Sequence, residues 1–444
     1  MFLKSIQLFF FFTFSLRFLA QNPIVPAGVF IADPEAHVWQ DGRLYIYGSR
    51  DESYAYWCSH GYHVLSTENL IDWKLDKNVF ASKGKNDQVL YNDKLLFAPD
   101  CIFKNGKYYL YYCSPKGKTK TKETGVAISN SPNGPFKKGK RIQGVDEIDP
   151  AVFIDDDGQG YLYWGQMNPK MAKLKPNLLE IDESTITKPL DSLGNKYFHE
   201  GSSIRKIRDK YYFVFADESR RNRPTCLGYA ISDSSTGPFV YQGIIIDNYG
   251  SDPSVWNNHG SIEEFNGKWY VFYHRSTNNS RKFRKACIEP IKINKDGTID
   301  EVEMTTQGAS QPLKATRIIE AEWACGLTGN TFISTKNEFD ESTEELSEIK
   351  NGDTAVYKYI NFNKKLSKIK FKTYAANGGI IEVRIDSLQG KKIAEVNIEN
   401  KKENVHFQID ETSIVPTDGK HAVYLIFKGE VNKTLFNIDW FTFY

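Results

Sequence analysis

Five times along the first two-thirds of the chain a tight turn runs into an aromatic-rich strand. The turns and strands are Asp41-Gly42 before Leu44-Tyr45-Ile46-Tyr47, Asn105-Gly106 before Tyr108-Tyr109-Leu110-Tyr111, Asp157-Gly158 before Tyr161-Leu162-Tyr163, Arg208-Asp209 before Tyr211-Tyr212-Phe213-Val214, and Asn266-Gly267 before Trp269-Tyr270-Val271-Phe272. Asx-Gly is the dipeptide of type I′ hairpins, because both central residues need positive φ. Repetition at roughly 50–60 residues predicts propeller blades, each sheet covering its neighbour's apolar face. Five copies predict five blades. The strands that precede the turns open at Asp33-Pro34, Pro99-Asp100, Asp149-Pro150, Glu200-Gly201 and His259-Gly260. Asp33, Asp149 and Glu200 each stand eight positions ahead of the first turn residue, and so occupy equivalent places in their blades. Innermost strands line a propeller's axis, so three carboxylates and a histidine are expected at one mouth of the channel.

Other segments repeat as well. Gly125-Val126-Ala127-Ile128-Ser129 with Asn133-Gly134-Pro135-Phe136 is nearly copied by Gly228-Tyr229-Ala230-Ile231-Ser232 with Thr236-Gly237-Pro238-Phe239. Helical periodicity is scarce. After Met304 to Ala315, rich in Thr, Gln, Gly and Ser and read as a linker, short alternating strands follow: Ala355 to Ile360, Ile369 to Tyr374, Ile380 to Ile385, Ala394 to Ile398, Ala422 to Phe427 and Phe436 to Phe443. That spacing predicts a β-sandwich. Glu338 to Glu348 is acidic without a strand pattern and is expected to be a loop. The reading is all-β: a signal peptide over 1–20, a five-bladed β-propeller over 22–311 and a β-sandwich over 317–444.

With 57 basic and 55 acidic residues the charge is nearly balanced, which argues against a polyanion partner such as nucleic acid. The lysine-rich stretch Lys116 to Lys122 is expected to be a solvated loop. Lys4 followed by the Phe-rich run Ile6 to Leu19 reads as an export signal, interrupted by Arg17, with Ala20 at the candidate cut. No later segment approaches 18 continuous apolar residues, so an exported protein, soluble and monomeric once the signal is removed, is expected. Export permits disulfides, but Cys58, Cys101, Cys113, Cys226, Cys287 and Cys325 form no compact framework and read as buried free thiols.

Paired carboxylates are what glycosidic cleavage requires: one protonated to assist the leaving oxygen, one ionised to activate water or attack carbon. A third nearby can keep the acid's pKa high. The same constellation could hold a metal, or be structural, with Asp before Pro forming turns and axial polar groups holding water. A resemblance weighs between these. Ala32-Asp33-Pro34, Ala98-Pro99-Asp100, Ile148-Asp149-Pro150-Ala151, His199-Glu200-Gly201-Ser202 and Asn258-His259-Gly260-Ser261 resemble, in order, the blade signatures of glycoside hydrolase family 43. That resemblance implies a five-bladed propeller hydrolysing with inversion. It makes Asp33 the general base, Glu200 the general acid and Asp149 the residue that raises and orients the acid. It places His259 at the axis, often beside a hydrated cation, and Arg275 on the sugar ahead of the cleaved bond. Trp57 is a candidate for stacking on a sugar face, and Asp100 for shaping the pocket. The implied activity is exo-cleavage of α-L-arabinofuranosyl or, second, β-D-xylosyl units from plant polysaccharides. An endo-arabinanase and a non-catalytic carbohydrate-binding propeller are the alternatives.

The C-terminal run resembles a family 6 carbohydrate-binding module in Ile319-Glu320-Ala321-Glu322, Asn351-Gly352-Asp353, Asn377-Gly378-Gly379, Leu425-Ile426-Phe427-Lys428-Gly429 and Phe436-Asn437-Ile438-Asp439-Trp440-Phe441. The resemblance implies a structural Ca²⁺ on Glu320, Glu322 and Asp439; hard carboxylate oxygens suit that ion. No organic cofactor is expected. Where such modules carry a sugar-stacking Trp, this chain has Asn400-Lys401-Lys402-Glu403-Asn404, which puts the usual binding cleft in doubt; Asn437 matches a ligand-contacting position.

Overall fold

The repeated turns close hairpins, and three are of the two-residue type, at 105–106, 208–209 and 266–267, of which two have the I′ conformation. Asn105 and Gly106 have φ of 51° and 74°, and Asn266 and Gly267 have 52° and 76°, as a I′ turn requires. At Asp41-Gly42 and Asp157-Gly158 only the glycine is left-handed, and at Arg208-Asp209 only the arginine. The computed structural model describes residues 17–19, 21–92, 94–115, 122–338, 341–400 and 407–444.

Five antiparallel sheets follow from these hairpins. Blade 1 runs Ile31–Val38, Leu44–Arg50, Gly61–Thr67, Asp72–Ala81; blade 2 runs Phe97–Lys104, Lys107–Ser114, Glu123–Ser129, Lys137–Arg141. Blade 3 is Ala151–Ile154, Gly160–Trp164, Lys170–Lys173; blade 4 is Phe198–Ile207, Lys210–Asp217, Cys226–Ser232, Val240–Asp247; blade 5 is Ser261–Phe265, Lys268–Thr277, Ser280–Ile291. The five innermost strands touch in cyclic order, and blade 5 returns to blade 1. Apolar clusters fill each gap between adjacent blades. Tyr111, Val152 and Leu162 bridge blades 2 and 3, for example, and Ile46, Trp73, Phe272 and Ile288 bridge blades 1 and 5. The chain start closes the ring. Ile24 N donates to Ala286 O at 2.8 Å, and the Asn22 amide exchanges two 2.8 Å bonds with the Ile288 backbone. Arg17–Leu19, inside the expected signal peptide, pairs with Asp72 to Lys74 at the outer edge of blade 1; the rest of that expected peptide lies outside the described residues.

The C-terminal strands stack as two sheets around one core containing Tyr357, Phe371, Phe427 and Phe441. The expected acidic loop is instead a hairpin: Phe332–Glu338 pairs with Glu341–Ser347. Its carboxylates hide the strand pattern because Glu344 and Glu345, on opposite faces of the strand, are both buried, 4% and 3% exposed, each against a lysine. Glu344 pairs with Lys285 of blade 5 at 2.6 Å and accepts from Gly28 N, while Thr335 N donates to Asn278 Oδ1. The sandwich is thus docked on the propeller. The expected linker is ordered as well: Leu313–Lys314 pairs in parallel with Ile360–Asn361, and Thr306 Oγ1 donates to Trp323 O. All six cysteines are buried free thiols.

Candidate active site

The innermost strands are interrupted where the chemistry lies. Register slips between Ala32 and Glu35 in blade 1 and between Glu200 and Ser203 in blade 4, so each strand bulges at its acidic residue. Asp33 and Asp149 sit at φ of 53° and 59°, immediately before prolines that restrict them further. Left-handed backbone at a non-glycine costs about 1–3 kcal/mol and persists only where the surroundings fix it. Its effect is to turn both carboxylates out of the pleat toward the channel mouth. In blade 4 the same turn falls one residue later, on Gly201 (φ 75°), where a Cβ would stand 2.8 Å from the His259 ring.

These distortions bring Asp33, Asp149, Glu200, His259 and Trp57 to one cavity of about 220 Å³, together with Phe97, Ile148, Gln166, Trp256, Asn257, Arg281 and Arg284. Asp33 is 5% exposed. Its Oδ1 accepts from Arg284 at 2.8 Å and its Oδ2 from Ser49 at 2.6 Å. Burial alone would raise its pKa, but Arg284, His259, His274 and the Ser49 hydroxyl outweigh that and bring it down to about 2. His274 is neutral: it accepts from Asp33 N at Nδ1, faces Asn257 O with Nε2, and is lowered to about 3 by burial and Arg284. Asp149 goes the other way, pushed well above the carboxylate range by burial, then by Glu200 and Asp33. Interacting carboxyls titrate as a pair rather than singly. Glu200 Oε2 accepts from Gln166 Nε2 at 2.8 Å, and Gln166 Oε1 in turn accepts from Lys122 at 2.5 Å. Lys122, expected in a solvated loop, therefore reaches the site; 116–121 lie outside the described residues. His259 lies 3.6 Å from Asp33 and 3.9 Å from Asp149, and burial lowers its pKa, leaving a neutral imidazole.

Two expected site residues lie elsewhere. Arg275 does not line the cavity; it binds the Tyr273 hydroxyl at 2.6 Å and Thr305 O at 2.8 Å on the far face of its strand. Successive strand residues face opposite ways, so with His274 turned toward Asp33, Arg275 must turn away. On the neighbouring strand Arg284 lies opposite Ser276, on the His274 face, and lines the pocket that Arg275 does not. It forks onto Asp51 at 2.9 and 3.0 Å while holding Asp33, and its guanidinium lies 4.8 Å from the Trp57 ring. Register pairing from His274 would have found it. Asp100 is below the pocket, not in its wall. It accepts from Val152 N and Cys101 N at 2.7 and 2.6 Å and binds His37 at 2.7 Å. With Glu35 and His37 it is the one His/carboxylate group among the described residues tight enough to hold a metal ion, and Arg205 already supplies its cation, 2.8 Å from Glu35.

In the sandwich, Glu320 is raised to about 7 by burial and then by Asp439. Glu322 is raised well above its usual range by burial, Glu344 and Glu320, and its Oε2 is buried without a partner among the described residues. The oxygens of Glu320, Glu322 and Asp439 do not form a group at metal-ligating separation among the described residues, and Asp439 is held by Lys372 at 2.7 Å. Asn437, matched to a ligand-contacting position, gives its amide to Glu345 at 2.6 Å. The substituted turn at 401–404 lies outside the described residues.

Comparison with known proteins agrees with this geometry. The profile of Glycosyl hydrolases family 43 matches residues 20–299, and that of Carbohydrate binding module (family 6) matches 320–444. A protein of Thermoclostridium stercorarium named xylosidase/arabinosidase is 31% identical over 93% of this chain and 97% of its own length. An arabinoxylan arabinofuranohydrolase of Bacillus subtilis is 30% identical over 93% and 90%. Among solved structures, a β-xylosidase/α-arabinofuranosidase from a compost metagenome, in complex with xylotriose, aligns at TM-score 0.57 and 30% identity over 65% of this chain and 98% of its own. A family 43 arabinoxylan arabinofuranohydrolase from Bacillus subtilis, in complex with cellotetraose, aligns at 0.54 and 25% over 95% and 97%. With a ring of five blades, three buried carboxylates at its mouth and a matching family profile over most of its length, the chain belongs to glycosyl hydrolases family 43 and is a glycoside hydrolase carrying a family 6 carbohydrate-binding module.

Proposed function

We propose that the enzyme releases single pentose units with inversion, α-L-arabinofuranosyl first and β-D-xylosyl second, from decorated plant polysaccharides or their fragments. The observation that carries this reading is the convergence of Asp33, Asp149 and Glu200 on one pocket, with Arg284 bound to Asp33 and Gln166 to Glu200. Asp33 takes a proton from water as the water attacks the anomeric carbon. Glu200 gives its proton to the glycosidic oxygen as the C–O bond breaks on the opposite face. Asp149, in the same pocket as Glu200, is the residue that modulates and orients the acid, and Gln166 donates to Glu200. A cavity of about 220 Å³ suits one sugar ring at the end of a chain rather than a polymer passing through. Relatives named for arabinosidase and xylosidase activity support the pentose class.

The Phe-rich N-terminus supports export as the route to such a substrate. The second domain, we infer, braces the propeller through Lys285–Glu344 and holds Ca²⁺ at Glu320, Glu322 and Asp439, an ion whose charge would relieve the crowding there. The functional test is product analysis on nitrophenyl pentosides, arabinoxylan and arabinan, with NMR of the released anomer. Single pentoses of inverted configuration are expected. A retained anomer, or internal fragments of arabinan, would defeat the proposal.

A further inference from the structure

Trp256 and Arg281 line both the catalytic pocket and a neighbouring outer cavity of about 400 Å³. Three cations line it, Arg223, Arg281 and Lys282, and no Asp or Glu side chain does. This is unusual for the molecule, whose 57 basic and 55 acidic residues are widely paired at the surface, as in Arg43–Glu68, Arg50–Glu52 and Lys206–Asp156. Arg223 is exposed and its side chain has no hydrogen bond or ion pair among the described residues. The Arg281 guanidinium lies 5.9 Å from the Trp57 ring centre and 6.0 Å from that of Trp256, with no acceptor for its N–H groups among the described residues. Lys282 donates to the carbonyls of Tyr54 and Ala55 at 2.9 and 3.0 Å and has no carboxylate partner. The nearby acid, Asp252, is buried, accepts from Ser254 N and Asn279 N, and is raised to about 7 by that burial.

We propose that this outer cavity binds a carboxylate borne by the sugar on the leaving-group side of the cleaved bond, a hexuronic acid. The inference rests on the glycosidase reading and names its substrate class. The Arg281 guanidinium, lying between two indoles, presents a planar fork of N–H donors, the geometry that pairs two-to-two with a carboxylate. Arg223 and Lys282 add a one-signed field at the mouth, which draws an anionic saccharide in and orients it. Trp256, shared by the two cavities, connects the sugar being released to the acidic one beyond it.

The test compares kcat/KM for two oligosaccharides that differ only in whether the sugar on the leaving-group side of the cleaved bond is glucuronic acid or glucose. At low salt the acidic one should be preferred about tenfold, and high salt should bring the ratio toward one, because exposed charges are screened. Arg223→Gln should lower that preference about fivefold, the upper range for one exposed pair, and Lys282→Gln should lower it in the same direction. Free glucuronate should inhibit, and inorganic sulfate at equal ionic strength should not, which separates a sugar acid from any anion. Equal kcat/KM for the two oligosaccharides at low salt, or Arg223→Gln slowing both alike, overturns the acidic subsite and leaves the glycosidase intact. Failure to cleave either overturns the glycosidase reading itself.

Discussion

Removing the charge at Arg284 should turn the ionised base into a titrating one. In the native site Asp33 is brought from 3.8 to about 2, with Arg284 the first of the groups opposing its burial. That difference corresponds to about 2.5 kcal/mol favouring the carboxylate. Because the folded value lies below the unfolded one, this stabilisation is present above pH 3.8 and is lost as pH falls through about 2. In Arg284→Gln, burial acts with little to oppose it, and the Asp33 pKa should rise by about two units or more. The assay is a profile of kcat/KM against pH on an aryl pentoside, with folding followed by circular dichroism at each pH. Wild type should show no acid limb from Asp33 above about pH 4, whereas the variant should lose activity as pH falls through its new, higher value. Asp51, deprived of its fork, should also protonate; breaking a buried pair costs about 3–5 kcal/mol, so the profile is taken well below the unfolding temperature. Ser49→Ala should shift the limb the same way by less, since the hydroxyl is the last of the lowering groups. An Arg284→Gln enzyme that is slower but keeps the wild-type acid limb would refute the claim that Arg284 holds Asp33 ionised.

Glu200→Gln should slow hydrolysis of natural linkages by about 10²–10⁴-fold while largely sparing aryl glycosides whose leaving group needs no proton, and Asp33→Asn should abolish both; equal mild losses would favour a carbohydrate-binding propeller. Chelator treatment should lower the melting temperature of the wild type but not of Glu322→Gln, which lacks one of the proposed carboxylate ligands; an unmoved wild-type transition would remove the calcium site. Lys285→Met should destabilise the protein by about 3–5 kcal/mol by leaving Glu344 buried without its cation, and Lys285→Met with Glu344→Leu should recover most of it; calorimetry on both variants reads the difference.

The turn-and-strand repeat carried the architecture because it is local: a period of about one blade and a polar residue at a constant offset are visible without knowing what packs on what. The same offset located Asp33, Asp149 and Glu200, since equivalent places on innermost strands converge whenever the ring closes. The C-terminal strands showed wherever alternation was clean, as at Phe436–Phe443. It disappeared at Glu341–Ser347, where Glu344 and Glu345 are buried on both faces of the strand because Lys285 and Lys336 are there to receive them. Partners distant in sequence decided the rest. Whether His274 or Arg275 faces the pocket depends on strand register, and one residue reverses the answer. Asp100 looks from the sequence like its neighbours at the mouth, yet Val152, Cys101 and His37 hold it below the cavity floor. The sequence by itself thus determined which residue types repeat and at what interval. The folded ring alone decided which faced one another, because a carboxylate's charge state is set by the groups packed around it, and here those groups come from other blades.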